Sequence, residues 1–63
     1  MSDAYAHFEV FLDFAGEFRF RIRAPNGESI ASSEGYKTKE GCMQGIKSVK
    51  KNAPTAKVKD TTT

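Results

Sequence analysis

Cysteine is nearly missing from this chain of 63 residues. Cys42 stands alone, so no disulfide can form within the chain. One cysteine and one histidine, Cys42 and His7, cannot furnish the four ligands of a closed structural zinc site. Neither a metal nor a cofactor is expected. No stretch approaches the roughly 20 apolar residues of a membrane span, which argues against a membrane role. Residues 1 to 7 also lack the basic start and apolar run of a secretory signal. Together with the single free thiol, this leads us to expect a reducing, cytoplasmic setting. A strong excess of one sign is missing too: ten basic and eight acidic residues are interspersed and leave a net charge of +2. That is an ordinary soluble surface and a weak sign of nucleic acid. There is no internal repeat.

A chain this short buries only about 60% of the surface that its unfolded form exposes, so its stability is marginal unless something adds to it. With disulfide and zinc set aside, association with a second copy is the remaining supplement.

What the chain does have is a strict alternation at Glu17-Phe18-Arg19-Phe20-Arg21-Ile22-Arg23-Ala24. Charged and apolar residues change places at every step, the period of a half-buried strand. Phe18, Phe20 and Ile22 share one face, and Arg19, Arg21 and Arg23 the other. A slip of one residue would drive three guanidinium groups into the core, so the register of this central strand is firmly specified.

Before it, His7 to Leu12 alternates as a first strand, with Phe8, Val10 and Leu12 on one face and Phe11 on the other. Asp13-Phe14-Ala15-Gly16 reads as a turn, with Asp favoured at its first position and Gly free to take positive φ at its last. After it, Pro25-Asn26-Gly27 signals a second hairpin, leading to a third strand over about Glu28 to Ser33. Residues 1–6 read as a loose arm.

From Thr38 the apolar positions become Cys42, Ile46, Val49 and Ala53, one stripe of a helix over about Lys39 to Lys51. Thr38 is the expected N-cap, Glu40 suits the positive end of the helix dipole, and Lys47, Lys50 and Lys51 suit its negative end. Asn52 and Pro54 close the helix. Gly41 and Gly45 lie inside it, where each costs about 1 kcal/mol relative to Ala, so close packing is expected there. Ala56 and Val58 alternate with Lys57 and Lys59 as a short C-terminal edge strand, and residues 61–63 as a disordered tail. The whole is an α+β domain over residues 7–60: a three-stranded antiparallel meander, one helix and a short final strand, βββαβ.

In this arrangement the sequence resembles the YegP-like family of small bacterial domains of unknown function. The resemblance is carried by residues 15–21, Ala24-Pro25-Asn26-Gly27-Glu28, residues 30–36 and residues 45–53, and it covers about residues 8 to 60. It implies a three-strand meander, a helix and a further strand, present twice in tandem or once per chain in a dimer. With one copy here, it implies a homodimer, and it carries over no catalytic residues.

A dimer also follows from the residues, because one three-turn helix covers one face of a small sheet while Phe11, Phe14, Tyr36 and Met43 still need burial. The expected core and dimer contacts are Phe11, Phe14, Phe18, Phe20, Ile22, Ile46, Val49 and Val58, with the strand around Val58 pairing with the partner's sheet.

Two clusters suggest ligands. Arg19, Arg21 and Arg23 along one strand face could track phosphates, or could be paired with cross-strand acids such as Glu9 and Glu28. Lys37, Thr38 and Lys39 gather at the helix start, where lysines oppose the dipole and a bound anion would relieve the conflict; ordinary capping is the plainer account. The P-loop pattern is missing there, since Tyr36 stands where a glycine is needed. Cys42 reads as core, His7 as a surface residue, and Asp13 and Glu17 show no spacing of paired catalytic carboxylates. No nucleophile, base and oxyanion donor converge. The expectation is a non-enzymatic dimeric interaction module, docking to another macromolecule such as a protein; the alternative is a weak anion-binding or nucleic-acid-binding protein.

Overall fold

The computed structural model of the chain describes residues 5–62. Positions 1–4 of the expected arm and Thr63 of the expected tail lie outside the described residues. Three strands, β1 (His7–Leu12), β2 (Phe18–Arg23) and β3 (Ser29–Ser32), form one antiparallel sheet in the order β1-β2-β3. A helix, α1 (Lys39–Asn52), follows, and then one 3₁₀ turn over Ala53–Thr55.

The alternation of β2 sets the register. Phe8 lies opposite Ile22, Val10 opposite Phe20 and Leu12 opposite Phe18, while His7, Glu9 and Phe11 face Arg23, Arg21 and Arg19. One face of the hairpin is thus wholly apolar and the other carries the charge, as a period of two requires. Between β2 and β3 the register shifts. Ile22 pairs with Ala31 but Arg23 with Ser29, which leaves Ile30 as the extra residue of a bulge.

Both hairpins close alike. The Gly16 N–H donates to the Asp13 carbonyl at 3.0 Å and the Asp13 N–H to the Glu17 carbonyl at 2.9 Å. The Gly27 N–H donates to the Ala24 carbonyl at 2.9 Å and the Ala24 N–H to the Glu28 carbonyl at 2.8 Å. Gly16 and Gly27 have φ of 80° and 89°, and among the described residues none other than glycine has positive φ. Asn26-Gly27 is therefore not a two-residue type I′ loop. Glycine alone takes the left-handed position that ends each turn.

The core lies between α1 and β2. Phe20, Cys42 and Ile46 are buried, and Phe8, Phe18, Tyr36 and Val49 pack against them. The Phe8 ring meets Phe20 edge-on at 5.8 Å, and Tyr36 stacks on Phe20 with centroids 6.3 Å apart and planes 19° from parallel. Tyr36 is fixed there by two main-chain bonds with Phe18, at 2.7 and 2.8 Å. Thr38 caps α1: its hydroxyl accepts the Gly41 N–H at 2.9 Å.

Three expectations change. Residues 56–62 form no strand with the rest of this chain, and Val58 is 96% exposed. Ala56 and Val58, set among lysines, offer too little apolar surface to offset the entropy of ordering the segment against its own subunit. Phe14 is likewise outside the core, fully exposed. The Asp13 carboxylate accepts the N–H groups of Ala15 and Glu17, both at 2.9 Å, and the tight turn this makes directs Phe14 to solvent. Finally, α1 runs through Asn52, whose side chain donates to the Ser48 carbonyl at 2.8 Å, and Pro54 sits inside the 3₁₀ turn. Proline is tolerated in that first turn, where its missing N–H would lack an intrahelical partner.

Candidate functional site

Phe18, Phe20, Ile22, Ile46 and Val49 all belong to the helix-side core or its margin. Phe11 does not: its place on β1 puts it among the arginines, where the Arg21 guanidinium carbon lies 3.9 Å above its ring centroid. A guanidinium over an aromatic face is attracted by the ring quadrupole, so Phe11 is covered by a cation instead of by apolar neighbours.

The sheet does bring Arg19, Arg21 and Arg23 onto one face, but each is engaged. Arg23 Nε donates to Glu9 Oε2 at 3.0 Å and its Nη1 to the Gly27 carbonyl at 2.7 Å. Arg21 Nε lies 3.6 Å from Glu9 Oε1. Arg19 Nε meets Asp13 Oδ2 at 2.6 Å and its Nη1 reaches the Ser33 carbonyl at 3.2 Å. The hydrogen bond from Arg23 holds the Glu9 carboxyl below the usual carboxylate range, against a smaller opposing effect of burial, with His7 and the charge of Arg21 helping. Asp13 is lowered first by the Glu17 N–H and next by Arg19.

Of the two acids expected to answer the arginines, Glu9 does so and Glu28 does not. Asp13 takes the second place. Sequence reasoning used Asp13 only as a turn former, although its parity with Phe11 and Glu9 was the available signal. With two carboxylates among three guanidinium groups, this face is a cross-strand network that stiffens the hairpin, and little positive charge is left over for phosphates.

At the helix start, Thr38 makes the ordinary cap and Lys37 and Lys39 are exposed to either side of it. Cys42 is completely buried, so its sulfur packs and does not react. The Glu17 side chain lies against Gly35. Among the described residues, no group of three or more His, Cys, Asp or Glu side chains is placed to hold a metal ion. Nor is any helix among the described residues long and apolar enough to cross a membrane.

The least satisfied region is on the helix side. Because α1 lies over β2, the outer strand β1 is left partly bare, with Val10 36% and Leu12 61% exposed, and Met43 on the facing flank of α1 is 45% exposed. An open depression of about 480 Å³ runs between Phe8, Val10 and Ile22 below and Met43, Ile46 and Lys50 above. A second, of about 280 Å³, shares Val10 with it and is otherwise lined by Phe11, Leu12, Phe18 and Lys39. The groove borders the unpaired outer edge of β1, the first strand in the sheet order. Exposed apolar surface beside a free strand edge is an association site in chemical terms. Of the side chains the sequence suggested would be left uncovered, Phe14 and Met43 are exposed, Tyr36 packs against the core and Phe11 lies under Arg21; Val10 and Leu12 were missed.

Residues 13–60 match the family model described as "Domain of unknown function (DUF1508)". A UPF0339 protein of Methanosarcina acetivorans is 61% identical over 51 residues, which cover 81% of this chain and 88% of that one. A UPF0339 protein in the ptx operon 5' region of Stutzerimonas stutzeri is 64% identical over 47 residues, 75% of this chain but 42% of that one. The solution structure of a protein from Haloferax volcanii superposes with a TM-score of 0.83 at 48% identity, covering 95% of this chain and 98% of that one. The meander with one helix is thus shared with an experimental structure, and the YegP-like resemblance read from the sequence holds. The chain belongs to the DUF1508 family, the UPF0339 proteins of bacteria and archaea, whose function is unknown.

Proposed function

We propose that this protein is a non-enzymatic interaction module that works as a homodimer in a reducing, cytoplasmic setting. A second copy covers the groove between α1 and β1 in this reading, and the assembled pair presents its remaining surfaces to another macromolecule. The observation that carries it is the exposure of Val10, Leu12 and Met43 around an open apolar groove in a chain with only Phe20, Cys42 and Ile46 buried among its described residues. So small a core leaves a single subunit marginal, and covering three large apolar side chains adds about 1.5–3 kcal/mol for each that becomes fully buried.

Two further observations support it. Residues 56–62 lie unpaired beyond the 3₁₀ turn, with Ala56 already in an extended conformation at φ −68° and ψ 134°. Such a segment can complete a neighbour's sheet at the open β1 edge more readily than its own. The Stutzerimonas stutzeri relative, of which the matched 47 residues are 42%, is long enough to carry a second copy of the domain in one chain.

Sedimentation equilibrium between about 1 and 100 µM tests the reading, and a two-fold dimer is the expected species. A folded monomer persisting across that range, with amide exchange as slow as that of a stable domain, would sink it.

A further inference from the structure

We infer that the C-terminal third of the chain is a lysine surface that binds the phosphate backbone of duplex nucleic acid without reading its sequence. From Gly41 to Lys59 there is no acidic residue, while Lys47, Lys50, Lys51, Lys57 and Lys59 add five positive charges. The first 40 residues hold Arg19, Arg21, Arg23, Lys37 and Lys39 against Asp3, Glu9, Asp13, Glu17, Glu28, Glu34 and Glu40, and are therefore net acidic. The modest total of +2 hides this polarity.

The structure separates the two sets of cations. Every ion pair among the described residues is made by His7 or by one of the three arginines, with Glu9 or Asp13 as the acid. None of the lysines is paired, and all are exposed. The arginine row, the obvious phosphate contact in the sequence, is thus occupied, and the unspent charge lies on α1 and beyond. Lys47, Lys50 and Lys51 stand at i, i+3 and i+4, so they are neighbours on one flank of the helix. With α1 running to Asn52, the helix dipole accounts for Lys50 and Lys51 in the last turn but not for Lys47, which the sequence had grouped with them and which falls a turn earlier, nor for Lys57 and Lys59 beyond the helix.

The chemistry of the patch selects the ligand. Lysine meets phosphate as a point charge and does not dictate base identity. The exposed aromatic rings, Tyr5 and Phe14, belong to the segment ahead of β1 and to the first turn, and none stands among the lysines of α1 and the segment after it, so no row of rings for stacking single-stranded bases is interleaved with them. Around Lys47 and Lys51 the helix surface is completed by Gln44 and Ser48, and Met43 is the one large apolar side chain exposed on α1, too little by itself to anchor the helix in a lipid interface. A duplex backbone is the polyanion that asks for charge alone.

The test is a fluorescence-anisotropy titration of a 20-base-pair DNA duplex with the full chain, between 20 and 200 mM salt. Binding is expected at the low end, with log K falling against log salt by roughly 0.9 for each phosphate neutralised, three to five in all. The variant Lys47→Gln/Lys50→Gln/Lys51→Gln keeps good helix formers at exposed positions, so its amide spectrum should match the parent; its affinity at 20 mM salt should fall tenfold or more and its slope by about three. Single strands should bind more weakly than the duplex. No binding at 20 mM salt overturns the proposal. So does unchanged binding by the triple variant, or binding to vesicles with about 30% anionic lipid in place of the duplex. Oligomeric state, measured in parallel, reports separately on the dimer.

Discussion

The hydroxyl and Cζ of Tyr36 occupy the space that a Cβ on residue 45 would need: an alanine there would bring its methyl 2.9 Å from Tyr36 Cζ and 3.2 Å from Phe20 Cε2, and closer still to the Tyr36 hydroxyl. Gly45 is thus the point at which α1 settles onto the stacked pair of rings. In an exposed helix, Gly→Ala stabilises by about 1 kcal/mol. Here Gly45→Ala is expected to destabilise by about 1–3 kcal/mol, because the helix must lift or the rings must move. Urea unfolding at fixed protein concentration measures it, and Tyr36→Phe in the same chain should recover part of the loss. Gly41→Ala, whose Cβ would lie 3.2 Å from Thr38 Oγ1 and 3.6 Å from Tyr36 Cδ1, should cost less.

Close packing at the two helix glycines was readable from their cost, and the strand register from the alternation of Phe and Arg. Both are local patterns whose violation is expensive, which is why they survive in a single sequence. The identity of the packing partner was not readable, since Tyr36 reaches Gly45 only after the chain has crossed from β3 back to Phe18. The arginine network was half visible: Glu9 followed from cross-strand pairing, but Asp13 required knowing that one carboxylate closes a turn and meets Arg19 as well. The C-terminal segment misled because Ala-Lys-Val-Lys alternation states a preference for extended backbone and is silent about which sheet completes it.

Cys42 is the one completely buried side chain of its size among the described residues. Cys42→Ser is therefore expected to destabilise by about 1–3 kcal/mol through an unsatisfied hydroxyl, and Cys42→Ala by about 1 kcal/mol through a small cavity. Labelling of the native thiol by a disulfide reagent should proceed only as fast as the domain opens. Rapid labelling without unfolding would show that the α1–β2 interface is looser than its geometry.

Glu9 and Asp13 both titrate below their reference values of 4.5 and 3.8 in the folded chain. Groups lowered on folding contribute stability that is complete above the unfolded values and is lost as pH falls through the folded ones. The melting temperature should thus hold their full contribution, unchanged with pH, between pH 7 and about 5.5, and should decline as pH falls below about 4.5. Glu9→Gln/Asp13→Asn should be less stable at pH 7 and should show a shallower acid decline. Parallel declines in parent and variant would show that other carboxylates govern acid unfolding.

Val10 and Val58 allow the proposed dimer to be tested without touching the buried core, because one lines the groove and the other sits on the unpaired segment. If residues 56–62 of one subunit lie along β1 of the other, a charge at either position meets the same apolar interface from opposite sides. Val10→Asp and Val58→Asp should each weaken dimerisation by tenfold or more, since a carboxylate left unpaired in such a contact costs at least 1.4 kcal/mol. Neither should disturb the Phe20–Tyr36 stack, so ring-shifted side-chain resonances must persist in the dissociated subunit. Combining the two should weaken association by less than the product of the single effects, because residues in direct contact are not additive. Strict additivity, measured by sedimentation, would place Val58 away from the groove and return the C-terminal segment to solvent.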